Sequence, residues 1–334
     1  MNRINWGNKQ VLVCGGAGFV GSHLAAELVR LEAKVTVVDN LSSGSEQNIK
    51  VIKDDIKFED KDLRDYRVCR KLVDGKDCVF QLAANMGGIG YITAIGADIM
   101  RDSATININM VDVARVHETP LYFYSSSACV YPDYLQKKTR VRPLREADAV
   151  PADPDQFYGW EKLFTEKLCE AYMQDYKLNI RMARFHNIFG PCYTAFDSLK
   201  GKAPAHMIVK AIKHPDPPYL IWGDGRQTRS FLYIDDCVQA ILRLMDTDCK
   251  QAINIGSDRL ISMKALADMA VRLSGKKGVK FQYDLSKPTG VRGRNADLEV
   301  MKEVLRWEPQ VSLDKGMEIT YNWAVEHYDE LEGL

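Results

Sequence analysis

Tyr158 and Lys162 stand four residues apart in a stretch with helical periodicity. That spacing puts a phenol and an ammonium on one helix face. Upstream, Ser125, Ser126 and Ser127 follow a short apolar and aromatic run. Together these groups suit removal of hydride from a secondary alcohol, which needs a base for the hydroxyl proton. A free phenol titrates at about 10 and is rarely ionised at neutral pH. Lowering it by about three units takes roughly 4 kcal/mol, which a nearby cation in a partly buried site can supply. Ser127 would hydrogen-bond the same oxygen. The spacing alone is weak evidence: Tyr134 and Lys138 share it, in a polar stretch without helical patterning.

Hydride also needs an acceptor. The strand Gln10–Cys14 runs into Gly15-Gly16-Ala17-Gly18-Phe19-Val20-Gly21, and helical periodicity follows. Missing side chains at Gly15, Gly18 and Gly21 let the backbone turn tightly and approach a pyrophosphate at the helix N-terminus. Phe19 and Val20 open that helix beside the phosphate. Asp39 ends the next strand. A carboxylate there binds both ribose hydroxyls and repels a 2′-phosphate, favouring NAD over NADP. Asp62 and Leu63 continue the adenine pocket in this reading, with Asp54 and Asp55 as nearby rivals.

Such groups need a scaffold that collects strand ends. Strands are expected at Gln10–Cys14, Lys34–Asp39, Cys78–Gln81 and Leu121–Ser125, with helices over Val20–Leu31 and from about Gln156. This alternation predicts an α/β, Rossmann-type doubly wound parallel sheet. Pro191–Pro204 reads as a long loop, a helix resumes near Ala205 and runs to Lys213, and Ala252–Ile255 returns a strand to the main sheet. We expect an NAD-binding part at 1–185 and 229–257, and a smaller discontinuous part at 186–228 and 258–334.

With 334 residues, 46% of them hydrophobic, the chain can bury a large core. Its 45 basic and 45 acidic residues cancel, so no bulk field draws it to nucleic acid. No apolar run approaches the roughly 18 residues of a membrane span, and the N-terminus lacks a signal-like segment. Eight scattered cysteines without a C-x-x-C pair read as reduced thiols in the cytoplasm, and no metal site is expected.

The glycine loop, Leu82-Ala83-Ala84, the serine run and Tyr158/Lys162 together resemble the extended short-chain dehydrogenases/reductases. Arg184–Pro191, Trp222–Phe231 and Asn254-Ile255-Gly256 resemble their NAD-dependent nucleotide-sugar branch. Met86-Gly87-Gly88, Ser126–Cys129, Lys202–Ala205 and Gly290–Asn295 are similar to the GDP-mannose 3,5-epimerase family. The likeness spans about residues 9–325. It implies that Leu82, Ala83 and Ala84 join Tyr158 and Lys162 around NAD. It implies further that Met86, Gly87, Gly88, Asn187, Lys202, Arg229 and Arg292 hold a GDP-sugar, with Arg294 as a helper. A homodimer through helices near 98–117 and 156–176 is also implied. One departure is Asn85, which stands where the plant enzymes carry Asp.

By the same resemblance Ser127, Tyr158 and Lys162 oxidise carbon 4 of the hexose, and Cys129 and Lys202 form an acid/base pair. A ketone at carbon 4 makes the protons on carbons 3 and 5 acidic. Inversion removes a proton from one face and returns one to the other, and groups titrating near 7 serve best. Re-reduction by the retained NADH restores the alcohol. Without the resemblance Cys129 would read equally well as a buried thiol, and Lys202 as a solvated loop lysine with Lys200 as its rival.

Two other enzyme readings stay open. One is an epimerase-reductase of the GDP-fucose synthase kind, which consumes NADPH and pairs Cys with His; His206 would fill that role, and Asp39 and Lys202 oppose it. The other is an epimerase acting at carbon 4 alone. A non-catalytic NAD-binding module is the alternative outside enzymes, and the intact Ser127, Tyr158 and Lys162 argue against it.

Overall fold

The structure, a computed structural model, describes residues 3–197 and 201–331. In the first half β1 (Gln10–Cys14), α1 (Phe19–Arg30), β2 (Lys34–Asp39), β3 (Ile56–Asp60), α2 (Tyr66–Val73) and β4 (Cys78–Gln81) alternate strand with helix. There follow α3 (Ile89–Ala94), α4 (Gly96–Val116), β5 (Leu121–Ser127), α5 (Phe157–Tyr176) and β6 (Ile180–Phe185). Helix α1 shows why the pattern works: Gly21, Leu24, Ala25 and Leu28 are buried and form one stripe at helical spacing.

After β7 (Asn187–Phe189) come α6 (Ala203–Lys213), β8 (Leu220–Trp222), β9 (Thr228–Tyr233), α7 (Ile234–Met245) and β10 (Ala252–Ile255). The chain continues through β11 (Leu260–Ser262), α8 (Met263–Ser274), β12 (Gln282–Asp284), β13 (Gly293–Arg294), α9 (Glu299–Leu305) and α10 (Leu313–Glu326).

The main sheet has seven parallel strands in the order β10-β6-β5-β4-β1-β2-β3. The chain reverses direction across the sheet between β1 and β4, and the crevice outside that switch point is where such sheets bind ligands. Four expected strands keep their sequence-read bounds, and the fourth in the first half extends from Ser125 to Ser127. Two strands were not anticipated. β3 is an edge strand whose charges interrupt the apolar pattern. β6 carries Arg181 and Arg184 into the interior, which its hydropathy disguises.

The second region is built on a four-stranded sheet, β11-β9-β13 with β7 beside β9, and a β8–β12 pair. Helices α6, α8 and α10 pack together around it. Strand β9 pairs only within this sheet, so the return to the main layer after residue 229 is made by α7 and β10. Helix α6 begins at Ala203, slightly ahead of the expected start, and the preceding loop holds a short 3-10 turn at Tyr193–Phe196. Among the described residues, no helix is long and apolar enough to cross a membrane.

One buried ion pair clamps the layers beneath the strand ends. Both Arg184 and Glu166 are buried; Arg184 Nε and Nη2 donate to the two Glu166 oxygens at 2.9 and 2.7 Å. Ser126 Oγ donates to the same carboxylate at 2.5 Å. Removing one partner of a buried pair strands the other charge. Urea unfolding of Glu166→Ala is expected to show a stability loss of about 3–5 kcal/mol. A loss below about 1 kcal/mol would show that the clamp carries little.

Candidate active site

A cleft of about 1210 Å³ opens at the carboxyl ends of the main-sheet strands and is closed over by the second region. Its floor is the glycine loop. Gly15 has φ +70°, and a Cβ there would lie 2.9 Å from the Ala83 backbone. A Cβ on Gly21 would fall 2.2 Å from the Gly15 carbonyl oxygen. The loops after β1 and β4 therefore touch, and Leu82 N–H donates to Cys14 O at 3.2 Å. Gly18, Phe19, Val20, Leu82, Ala83 and Ala84 all face the cleft.

Asp39 is held by two backbone amides, Ala17 N–H at 3.1 Å and Leu41 N–H at 2.9 Å. Burial nevertheless raises its carboxyl above the ordinary value. Asp62 and Leu63 also line the cleft, and hydrogen bonds from Arg64 hold Asp62 below its ordinary value. A cradle that any side chain would fill, beside a carboxylate fixed at the next strand end, fits a dinucleotide.

Helix α5 lies against the end of β5 because Gly159 has no side chain: a Cβ there would sit 2.0 Å from the Cys129 carbonyl oxygen. This contact brings Tyr158 and Lys162 to Ser127. Lys162 Nζ donates to Ser125 O at 2.8 Å and lies 5.6 Å from the Tyr158 ring centre. Burial pushes the Lys162 ammonium down, and the Glu161 and Glu166 carboxylates pull it back. Tyr158 behaves differently from the sequence-based expectation. Burial, reinforced by Cys129 and Glu161, drives its phenol well above the ordinary range, while Ser127 acts the other way through a hydrogen bond. Lys162 by itself does not offset that burial.

Cys129 and Lys202 meet in the same cleft from different elements. Cys129 Sγ accepts a hydrogen bond from Arg294 Nη1 at 3.3 Å. Lys202 is the residue that begins α6, and its Nζ donates to Met86 Sδ at 3.3 Å. Burial pushes the Lys202 ammonium down and the Cys129 charge opposes it. The rival Lys200 lies outside the described residues. One turn along α6, His206 Nε2 is bonded to Asp197 O at 3.0 Å, and burial lowers its ordinary value.

Met86, Gly87, Gly88, Asn187 and Arg229 line the cleft as well. Asn187 Nδ2 donates to Ser230 O at 2.9 Å, which fixes its orientation. The described hydrogen bonds of Arg229 go to the carbonyls of Thr228 and Thr289, at 2.7 and 3.2 Å. A buried guanidinium held by carbonyls keeps its charge available for an anion. Arg292 is the exception. It lies outside the cleft lining, and Asp224 takes its fork through two 2.8 Å bonds. Arg294, two residues on, is the arginine that enters the cleft.

Sequence reasoning missed Asp155, Gln136 and Tyr91. Asp155 lines the cleft just ahead of α5, with Oδ1 3.7 Å from Arg294 Nη2. Its sequence signal, Asp153-Pro154-Asp155, speaks only of a turn. Tyr91 Oη donates to Asn85 Oδ1 at 2.9 Å, and Asn85 Nδ2 donates to Asp102 Oδ2 at 3.2 Å, so the departure at Asn85 is built into the cleft wall.

The NAD dependent epimerase/dehydratase family matches residues 11–256. The chain is 40% identical over 326 residues to GDP-mannose 3,5-epimerase of Arabidopsis thaliana, spanning 97% of this chain and 84% of that protein. It is 39% identical to GDP-mannose 3,5-epimerase 1 of Oryza sativa subsp. japonica, spanning 96% and 83%. The structure of UDP-glucose 4-epimerase from Thermotoga maritima with UDP-glucose superposes with a TM-score of 0.86 at 25% identity, over 96% of this chain and 99% of that one. UDP-glucuronic acid 4-epimerase from Bacillus cereus, in complex with UDP-glucuronic acid and NAD, gives 0.82 at 25% identity, over 96% and 100%. The chain belongs to the NAD dependent epimerase/dehydratase family.

Proposed function

We propose that this protein is an NAD-dependent isomerase that converts GDP-mannose to GDP-L-galactose, with GDP-L-gulose arising when carbon 5 alone inverts. The observation that carries this reading is the meeting of a thiol, Cys129, and an amine, Lys202, in one cleft with Ser127, Tyr158 and Lys162. Inversion at carbon 4 alone needs no such pair. Identity to the two plant GDP-mannose 3,5-epimerases supports the choice of sugar.

NAD, when bound, takes the carbon-4 hydrogen as hydride and returns it later, and its oxidised ring adds a second positive charge near the buried Tyr158 phenol. Tyr158 removes the carbon-4 hydroxyl proton, with Ser127 orienting the same oxygen. Lys162 stabilises the phenolate from the helix below. Once carbon 4 is a ketone, Cys129 and Lys202 exchange the protons of carbons 5 and 3. Arg229, buried and bonded to carbonyls, suits the diphosphate. Against the reductase reading stand Asp39, which disfavours a 2′-phosphate, and His206, whose ring nitrogen is taken by Asp197 O. The homodimer draws support from apolar side chains left exposed on α4 and α5, among them Met100, Ile108, Trp160 and Phe164.

Three measurements test this reading. Wild-type protein should bind NAD more tightly than NADP, and Asp39→Ala should narrow the difference; calorimetry showing tighter NADP binding by the wild type would favour the reductase. Tyr158→Phe should abolish both epimerisation and exchange of sugar protons with solvent, followed by proton NMR; persistent exchange would mean that another base starts the reaction.

The third separates oxidation from inversion. In heavy water the wild type should place deuterium on carbons 3 and 5 but not on carbon 4. Cys129→Ala and Lys202→Ala should each still reduce bound cofactor on adding GDP-mannose, yet lose inversion by about a hundredfold or more. Wild-type inversion rates in both variants would make the two residues structural.

A further inference from the structure

Arg294 contacts Cys129 through a guanidinium that is itself locked in place. Nε donates to Gln136 Oε1 at 2.5 Å, Nη1 to Cys129 Sγ at 3.3 Å, and Nη2 lies 3.7 Å from Asp155 Oδ1. Gln136 is buried and donates its own amide to the carbonyls of Tyr131 and Pro132, at 3.0 and 3.1 Å. The same side chain thus grips the loop that follows Cys129 and the strand that carries Arg294. That strand passes close because of Gly293, where a Cβ would fall 2.4 Å from Lys138 O. Burial works against the Arg294 cation, but Cys129 and Asp155 outweigh it and hold it charged.

We propose that Arg294 is a positioning residue for the acid/base pair: its guanidinium favours the thiolate of Cys129 and so leaves the proton on Lys202. This rests on the reading of Cys129 and Lys202 given above. A thiol–amine pair and a thiolate–ammonium pair hold the same number of protons, so neighbouring charge decides between them. A cation bonded to sulfur selects the second form. Lys202 has the opposite surroundings, a thioether and an apolar wall, with no local preference for the ammonium beyond the thiolate itself.

The consequence is a division of labour. Cys129 takes a proton from the sugar carbon and becomes a thiol; the Lys202 ammonium gives one to the opposite face and becomes an amine. Before the next inversion one proton passes from thiol to amine through solvent. Other charges also act on Cys129: Lys162 and Arg229 as cations, and the Tyr158 phenol as an acid beside it. Of these groups Arg294 is the one bonded to the sulfur.

The test compares the pH dependence of Cys129 alkylation by iodoacetamide in full-length wild type, Arg294→Gln and Arg294→Lys, with the modified peptide followed by mass spectrometry. In Arg294→Gln the profile should move up by about one pH unit, and epimerisation at neutral pH should fall about tenfold and recover towards alkaline pH. Arg294→Lys keeps a cation, so its profile should stay within about half a unit of wild type. An unmoved profile in Arg294→Gln, with turnover lost equally at every pH, would overturn the proposal. So would a shift of about one unit in Arg294→Lys despite its charge, a result that still decides the matter if the Gln variant does not fold. Failure of the wild type to exchange carbon-bound sugar protons would overturn the acid/base reading itself, and the alkylation profiles distinguish that failure from this one.

Discussion

The site depends on a backbone-to-backbone contact between α5 and the loop that ends β5. At Gly159 the helix comes so close to the Cys129 carbonyl that even a methyl group would collide with it. Tyr158 and Lys162 flank that contact on one side, and Ser127 and Cys129 on the other. The helix is then fastened by polar groups below the cleft: Lys162 to Ser125 O, Glu166 to Ser126 and Arg184, Glu161 to Asn107 and Thr165. Each of these would be costly to bury alone. Together they fix both the height and the rotation of the helix, and so the relation of the phenol to the serine.

The cleft is rich in cations that carboxylates leave largely unneutralised. Lys162 bonds a carbonyl, Arg229 bonds carbonyls, Lys202 bonds a thioether and Arg294 bonds a thiol and an amide oxygen. Had Lys202 been paired with a carboxylate, its ammonium would be locked on and useless as a base near neutral pH. Soft or dipolar partners hold a side chain in place without fixing its protonation. The same deficit of negative charge suits a diphosphate ligand and an enolate-like transition state.

Two lobes far apart in the chain supply this arrangement. The main sheet contributes the glycine loop, Asp39, the serine run and α5; the second region contributes Asn187, Lys202, Arg229 and Arg294. Neither half holds the whole set. Gly293 and Gln136 illustrate how the halves are joined: one removes a side chain so that β13 can approach, and the other bonds to both loops once it has. Such joints leave no periodic signal, because each depends on a single position meeting a partner far along the chain.

What the sequence by itself determined is whatever local order encodes. Strands β1, β2, β4 and β10 were legible from short apolar runs between turn residues, α1 and α5 from their periodicity, and the phosphate loop from glycines between a strand and a helix. The pairing of Tyr158 with Lys162 follows from helix geometry alone. Tertiary structure decided what depends on burial and distant neighbours. It placed Arg181 and Arg184 inside β6 by giving them buried partners, turned Arg292 outward to Asp224 and Arg294 inward to Cys129, and raised the Tyr158 phenol by enclosing it. Sequence spacing carries the direction of a side chain only within one element; between elements, direction and charge are set by which groups close packing leaves without water.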